Sequence, residues 1–378
     1  MPNPSNRSNL RPSQCAPLKL AQRGAATSQS LRMAGSLPKA SSARSMSAWP
    51  AGRGFISTLS LVAALLAGIA AVSSQAAAAD APKVVASIKP VESLVAAVMQ
   101  GVGEPYLIVK GAASPHTAAL KPSDATALSQ ADAIFWIGPQ LENFLIKPIG
   151  SLGTGDAAVS LWDAKGVEKL KARSGAMFEA DDDGPVEEHT AAGDHNHDHD
   201  HDHDHGDNPY NEHIWLDPEN AIAMTNAIAA RLEVLDPDHA ESYRKNAETY
   251  TARLKTLEAD IKAELKGLDR KPFVVFHDAY QYFEHRFGVP AAGAITVSPD
   301  KSPGAARIRE IKTMLESVKA ACVFTEPEFE PRIVQTVTEG TSATTGVLDP
   351  LGADLPDGPD LYPTLIKSIA DGLKKCFA

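Results

Sequence analysis

The chain has 378 residues, is 43% hydrophobic and carries a formal net charge of −11. That length suits two globular domains. The acidic balance argues against a nucleic-acid partner, because phosphate binding needs a basic face, and it is compatible with attracting cations.

Residues 1–79 differ from the rest, with eight Lys/Arg and no Asp or Glu. The apolar run FISTLSLVAALLAGIAAV (55–72) follows Arg53, and small residues then lead to Ala77-Ala78-Ala79 before Asp80. A basic segment, an apolar run and an A-x-A site predict a secretory signal peptide, with cleavage after Ala79. A run of this length could also just anchor the chain in a bilayer. The Ala-rich tail and the A-x-A site favour cleavage. The part before Arg53 is long for a signal peptide, and Met33 and Met46 are alternative starts.

The mature chain opens with a strand-like run, KVVASIKP, followed by a helical pattern with Val91, Leu94, Val95, Val98 and Met99 on one face. YLIVKG and AIFWIG read as further buried strands, separated by helical segments such as SDATALSQ. This alternation predicts an α/β fold with a parallel sheet. From about 178 to 211 the order breaks into DDD, EE and HNHDHDHDHDHGD, which cannot bury a core and is expected to be a mobile surface loop. Helical periodicity resumes in HIWLDPENAIAMTNAIAARLEVLDP. It continues over about 238–268, where Tyr243, Ala247, Tyr250, Leu254, Leu257, Ile261 and Leu265 recur at spacings of three and four. A second α/β set follows in KPFVVFHDAY, AGAITV, ACVFTEP and TGVLDPLG, with amphipathic helices in PGAARIREIKTMLESVKA and YPTLIKSIADGLKKCF. The reading is a leader (1–79), an N-terminal lobe (80–237), a linker helix (238–268) and a C-terminal lobe (269–378). Each lobe is a parallel sheet flanked by helices, and one long rigid helix joins them.

Twelve histidines sort into three groups. Seven lie in the acidic loop: His189, His195, His197, His199, His201, His203 and His205. His239 and His285 sit in helical segments and read as surface or satisfied residues. His116, His213 and His277 stand in compact motifs, SPHTAALKPSD, NEHIWLDP and FVVFHDAYQYFE. Neutral imidazoles suit zinc, and three of them with one oxygen make a tetrahedral site. Taken singly, each is more often structural. Placement changes this: His277 ends a strand, and ligands of open α/β sheets bind at the carboxyl ends of strands.

Cys322 and Cys376 are the cysteines of the mature chain, Cys15 lying in the leader. In an exported protein they invite one disulfide, two unpaired thiols being the alternative.

Taken in order, VVASIKP, SPHTAALKPSDATAL, FWIGPQLENF, HIWLDPENA, FVVFHDAYQYFEHRFG, CVFTEPEF and LDPLG resemble the periplasmic zinc-binding proteins of high-affinity zinc ABC transporters. These belong to a cluster that also serves manganese, and the resemblance covers residues 83–378. It implies a periplasmic monomer that binds Zn2+ in a cleft between lobes through His116, His213 and His277. It also implies delivery to a membrane permease driven by a cytoplasmic ATPase, with the long helix limiting lobe movement. Manganese members tend to carry a carboxylate in place of the third imidazole, so His277 favours zinc. Some zinc members have Glu before the first histidine, where this chain has Pro115. The fourth ligand is then Asp349 of LDPLG or a water, with Asp349 as a loop cap the competing reading, and Glu142 of GPQLENF is expected nearby. The His/Asp loop, common in zinc members, reads as a secondary metal-recruiting or sensing site, against a solvated acidic loop with incidental affinity. Three rivals stand beside this reading. One is a manganese or iron carrier, and another a metal buffer uncoupled from transport. The third is a zinc enzyme, disfavoured because no H-E-x-x-H, G-x-S-x-G or paired-carboxylate motif is present.

Overall fold

Short apolar runs of the first half form strands β1 (Val84–Ala86), β2 (Tyr106–Leu107), β3 (Ala133–Trp136) and β4 (Ala158–Ser160). The structure is a computed structural model that describes residues 81–152, 154–173, 177–178, 209–268, 270–296 and 304–378. β1 and β3 are buried along their whole length, as expected for central strands of a parallel sheet covered on both faces. The second half forms β5 (Phe273–His277), β6 (Gly293–Thr296), β7 (Cys322–Thr325) and β8 (Thr344–Val347). Both sheets are parallel, ordered β2-β1-β3-β4 and β6-β5-β7-β8. The two halves therefore share one topology although no repeat is visible in the sequence. A shared strand order needs only the same alternation of apolar strand and covering helix, not the same residues.

The covering helices are α1 (Lys89–Val98), α2 (Pro122–Ser129), α3 (Asn143–Ser151), α4 (Pro218–Leu235), α5 (Ala240–Leu265), α6 (Gln281–Phe287), α7 (Ala305–Ser317), α8 (Arg332–Thr338) and α9 (Leu361–Phe377). α4 starts sharply because Asp217 accepts a hydrogen bond from the Glu219 N–H (2.9 Å) and Pro218 fills the first helical position. α5 runs 26 residues, about 39 Å at 1.5 Å per residue. A 3-10 turn, Pro237–His239, precedes it. Its buried face contains Glu258, while Leu257 is only partly covered. That differs from the sequence pattern, which placed Leu257 inward. Glu258 is tolerated there because Lys262, one turn on, holds its carboxylate.

One apolar core runs from Val85 and Phe135 through Trp215 and Tyr243 to Phe273, Phe324 and Tyr362. A smaller one, with Val274, Phe276, Ile295 and Val323 on strands and Ile311 and Val334 on helices, covers the other face of the second sheet. Each fully buried side chain of this size contributes roughly 1.5–3 kcal/mol. α9 packs against α5 and α1, so the C-terminal helix crosses back to the first half. The approach to it is held by hydrogen bonds from Lys89 Nζ to the Leu355 carbonyl (2.8 Å) and from Ser93 Oγ to the Gly358 carbonyl (2.7 Å). The expected disulfide is formed: Cys322 on β7 and Cys376 on α9 are bonded, with Cα atoms 5.9 Å apart. No helix among the described residues is long and apolar enough to cross a membrane.

Candidate metal centre

His277 is the last residue of β5, which lies between β6 and β7 in the sheet. The register that pairs Phe273 with Cys322 brings Glu326 beside His277, four residues further along each strand. Glu326 accepts from the His277 backbone N–H (3.3 Å), and its other oxygen lies 2.5 Å from His277 Nδ1. Both groups are buried, His277 at 3% exposure. Burial pushes the imidazole down to about 4 and the Glu326 carboxyl well up. A neutral His277 that donates from Nδ1 to Glu326 presents the Nε2 lone pair to the cleft.

His213 lies in the turn that precedes α4, where Asn211 organises it. The Asn211 side-chain oxygen accepts from the His213 backbone N–H (3.0 Å) and faces its Nδ1 at 2.9 Å. The same amide donates to the carbonyl of Asp278, the residue after His277 (2.7 Å). Tyr282 donates to the Asn211 carbonyl (2.7 Å). An amide oxygen accepts only, so His213 carries its proton on Nδ1 and leaves Nε2 bare. Burial, then the neighbouring His277 and His116, hold its imidazole well below the ordinary value.

His116 comes from the loop after β2, in which Ser114 Oγ accepts from its backbone N–H (3.3 Å). Its Nδ1 is 3.8 Å from a Glu212 oxygen. Burial raises the Glu212 carboxyl to about 7.

These three segments bring three Nε2 atoms together. His213 Nε2 is 3.2 Å from His116 Nε2 and 3.1 Å from His277 Nε2. Tetrahedral zinc with Zn–N bonds of about 2.0–2.1 Å sets its nitrogen ligands about 3.3 Å apart. Bare nitrogens that close repel one another unless a proton or a cation lies between them. The geometry fits a metal ion, and among the described residues these three are the group of His, Cys, Asp and Glu that could hold one.

Two further residues proposed from the sequence are engaged by backbone groups. Asp349 accepts from three backbone N–H groups, those of Leu351 (2.9 Å), Gly352 (2.7 Å) and Ala353 (2.7 Å), and so caps its own loop. Glu142 accepts from Ser87 Oγ (2.5 Å) and from the N–H groups of Ile137 (3.1 Å) and Gly138 (3.0 Å), bracing the ends of β1 and β3. Burial lifts its carboxyl to about 7. Neither is part of the three-imidazole group. His189, His195, His197, His199, His201, His203 and His205 lie outside the described residues.

Glu326, Asn211 and Glu212 were not singled out in the sequence. Asn two positions before His213 and Glu straight after a strand were the only signals for them. Glu328 was missed as well. It lines the same pocket as the three imidazoles, together with Trp215 and Phe329. Burial, then the nearby Asp349 and Glu326, raise its carboxyl to about 9.

The fold and the site define a metal-binding α/β protein with paired parallel sheets. Residues 84–376 match the family described as zinc-uptake complex component A, periplasmic. A high-affinity zinc uptake system protein ZnuA of Brucella suis biovar 1 (strain 1330) is 53% identical over 333 residues, covering 85% of this chain and 98% of that one. The protein of the same description from Yersinia pestis is 34% identical over 293 residues, covering 78% and 90%. A solved crystal structure of a ZnuA superposes with a TM-score of 0.63 at 22% identity, over 79% of this chain and 100% of that one. The chain belongs to the periplasmic zinc-uptake component A family.

Proposed function

We propose that this chain is the extracytoplasmic zinc-capturing component of an ABC importer. On this reading the leader is removed after Ala79 and the mature protein works in the periplasm as a monomer. It binds one Zn2+ through His116, His213 and His277, and the loaded form docks on a membrane permease whose cytoplasmic ATPase drives import. The observation that carries this is the convergence of three Nε2 atoms at spacings of 3.1 and 3.2 Å. The relatives' zinc-uptake descriptions support the cargo.

The ligand chemistry favours zinc over manganese. An all-imidazole set is borderline-soft, whereas manganese prefers carboxylates and water. Asn211 and Glu326 orient two of the rings before metal arrives, so less ordering entropy is lost on binding. We assign no catalytic role to the site, since the family is one of binding proteins. The His/Asp-rich loop is assigned a secondary role in collecting zinc. Its ligands must be ordered at each binding event, which lowers its affinity relative to the cleft.

Competitive zinc titration tests this with three proteins: the mature form, a form lacking residues 189–205, and the triple variant His116→Ala, His213→Ala, His277→Ala. The loopless form should keep one tight site that prefers zinc to manganese, and the triple variant should lose it. Tight binding that follows the loop instead would make the chain a histidine-rich buffer. Zinc uptake that persists in cells lacking the permease would remove the transport role.

A further inference from the structure

Arg173 stands outside the three-imidazole group, yet its side chain holds the residue next to one of those imidazoles. Its Nε donates to both Asp278 oxygens (3.2 and 3.1 Å), and Nη2 donates to the same carboxylate. Nη1 donates to one Glu284 oxygen (2.7 Å) and Nη2 to the other (3.1 Å). Cζ lies 3.6 Å from the centroid of the Phe178 ring. The Arg173 side chain is 16% exposed, and those of Asp278 and Glu284 are 11% and 4% exposed. A planar guanidinium bonded along two edges and stacked on one face fixes its partners in orientation as well as in distance.

Asp278 directly follows His277, in a tight turn where the Ala279 N–H donates to the His277 carbonyl (2.8 Å). The backbone that leads to Arg173 is bonded to the approach to His213. The Ala172 N–H donates to the Pro209 carbonyl (2.9 Å) and the Asn211 N–H to the Leu170 carbonyl (2.9 Å), and Lys171 and Tyr210 form an antiparallel bridge. One short segment, 170–173, is thus attached by its backbone to the turn carrying His213. Its last side chain is attached to the residue after His277.

We propose that Arg173 is a positioning residue for the metal centre: through Asp278 it fixes the end of β5 against the turn that carries His213, and so keeps the His213 and His277 rings at ligand spacing. The Asn211 amide makes the same connection by a separate route. A buried ion cluster adds little net stability, because desolvation offsets the attraction. The worth of this one lies in the geometry it imposes. Without the guanidinium, Asp278 and Glu284 lose the cation between them, and Asp278 turns outward and takes the 277–278 peptide with it. Charge alone predicts the reverse effect on binding. Removing a cation near the centre makes the local potential more negative, which favours a doubly charged ion. A loss of zinc affinity therefore reports geometry. The proposal rests on the three-histidine reading of the site.

The test is the zinc affinity of the full chain, by chelator competition, for the wild type, Arg173→Gln, Arg173→Lys, Glu284→Gln and His116→Ala. The visible spectrum of each cobalt(II)-loaded form reports the ligand geometry. Arg173→Gln should bind zinc about tenfold more weakly and shift the cobalt bands. Arg173→Lys keeps the charge without the fork and should recover part of the loss. Glu284→Gln breaks the same cluster but leaves Asp278 held. It should lower the melting temperature, with unmoved cobalt bands and an affinity within about threefold of the wild type. Arg173→Gln binding zinc as tightly as the wild type, or more tightly, overturns the proposal. Equal losses in Arg173→Gln and Glu284→Gln overturn it too, since the cluster would then act through packing alone. If Arg173→Gln does not fold, the same substitution made in the Glu284→Gln background, with one buried carboxylate fewer, is compared with Glu284→Gln on the same criteria. If His116→Ala leaves zinc affinity unchanged, the three-histidine reading has failed along with the proposal. If His116→Ala weakens binding while Arg173→Gln does not, only the proposal has failed.

Discussion

His213 Nε2 lies 3.1 Å from His277 Nε2, although the two residues are 64 positions apart in the chain. One Asn side chain spans the pair, with its oxygen on the His213 ring and its amide N–H on the carbonyl next to His277. The ligand geometry is thereby set before any metal is present.

His213 stands between the other two rings, within 3.2 Å of one and 3.1 Å of the other. His213→Ala should therefore cost more zinc affinity than any change outside the ligand set, above the roughly hundredfold upper figure for losing a supporting group. Isothermal titration against a competing chelator measures it. A loss under tenfold would mean that His213 does not touch the metal.

Asn211→Ala leaves the ligands in place but removes the acceptor that fixes the His213 tautomer and the donor to Asp278. Zinc affinity should fall by about tenfold to a hundredfold. Asn211→Asp keeps an acceptor on Nδ1 but loses the donor to the Asp278 carbonyl, so its loss of affinity should be smaller than that of Asn211→Ala. Equal losses in the two variants would point to a general packing defect at this turn.

His277 is held at about 4 by burial, against an ordinary value of 6.5. Its neutral form is the one the fold favours, so the folded chain binds fewer protons than the unfolded chain between those values. The stability that this neutral form contributes is complete above pH 6.5 and is lost as pH falls through about 4. It is read as the difference between wild type and His277→Gln in denaturant melts of the metal-free protein. A difference is needed because Glu142 and Glu212, raised to about 7 by burial, and Glu326, raised well above the ordinary value, contribute with the opposite sign. NMR of the metal-free protein should show the His277 ring still neutral at pH 5. A midpoint near 6.5 would contradict the burial.

The Cys322–Cys376 bond closes a separation of 54 residues and ties α9 to β7. Changing both cysteines to Ser should lower stability by about 2–4 kcal/mol. Zinc affinity should stay within about twofold, since neither sulfur is among the residues that gather at the metal centre. A large loss of affinity would show that α9 sets the spacing of the rings.

Local pattern was enough to predict both α/β halves and the helix after the acidic loop; the three histidines were picked out by strand-end placement and by the resemblance of their motifs to zinc-binding proteins, and the structure places them together. Period and composition act within a few turns of chain, so Tyr243, Tyr250 and Leu254 announce one face of α5 without tertiary information. The inward Glu258 escaped that pattern because its burial depends on Lys262 and on helices packed from elsewhere.

The sequence by itself determined which residue types could bind zinc and that they stood at strand ends and turns. Only the tertiary structure decided which carboxylates were already engaged. Asp349 and Glu142 look like donors in the sequence, yet backbone N–H groups claim both. Glu326 and Asn211 look unremarkable there, yet parallel register and one turn place them against the two buried rings. The reason is physical: a hydrogen bond acts over about 3 Å, and distances of that order between segments tens of residues apart are set by the packing of the sheets and helices.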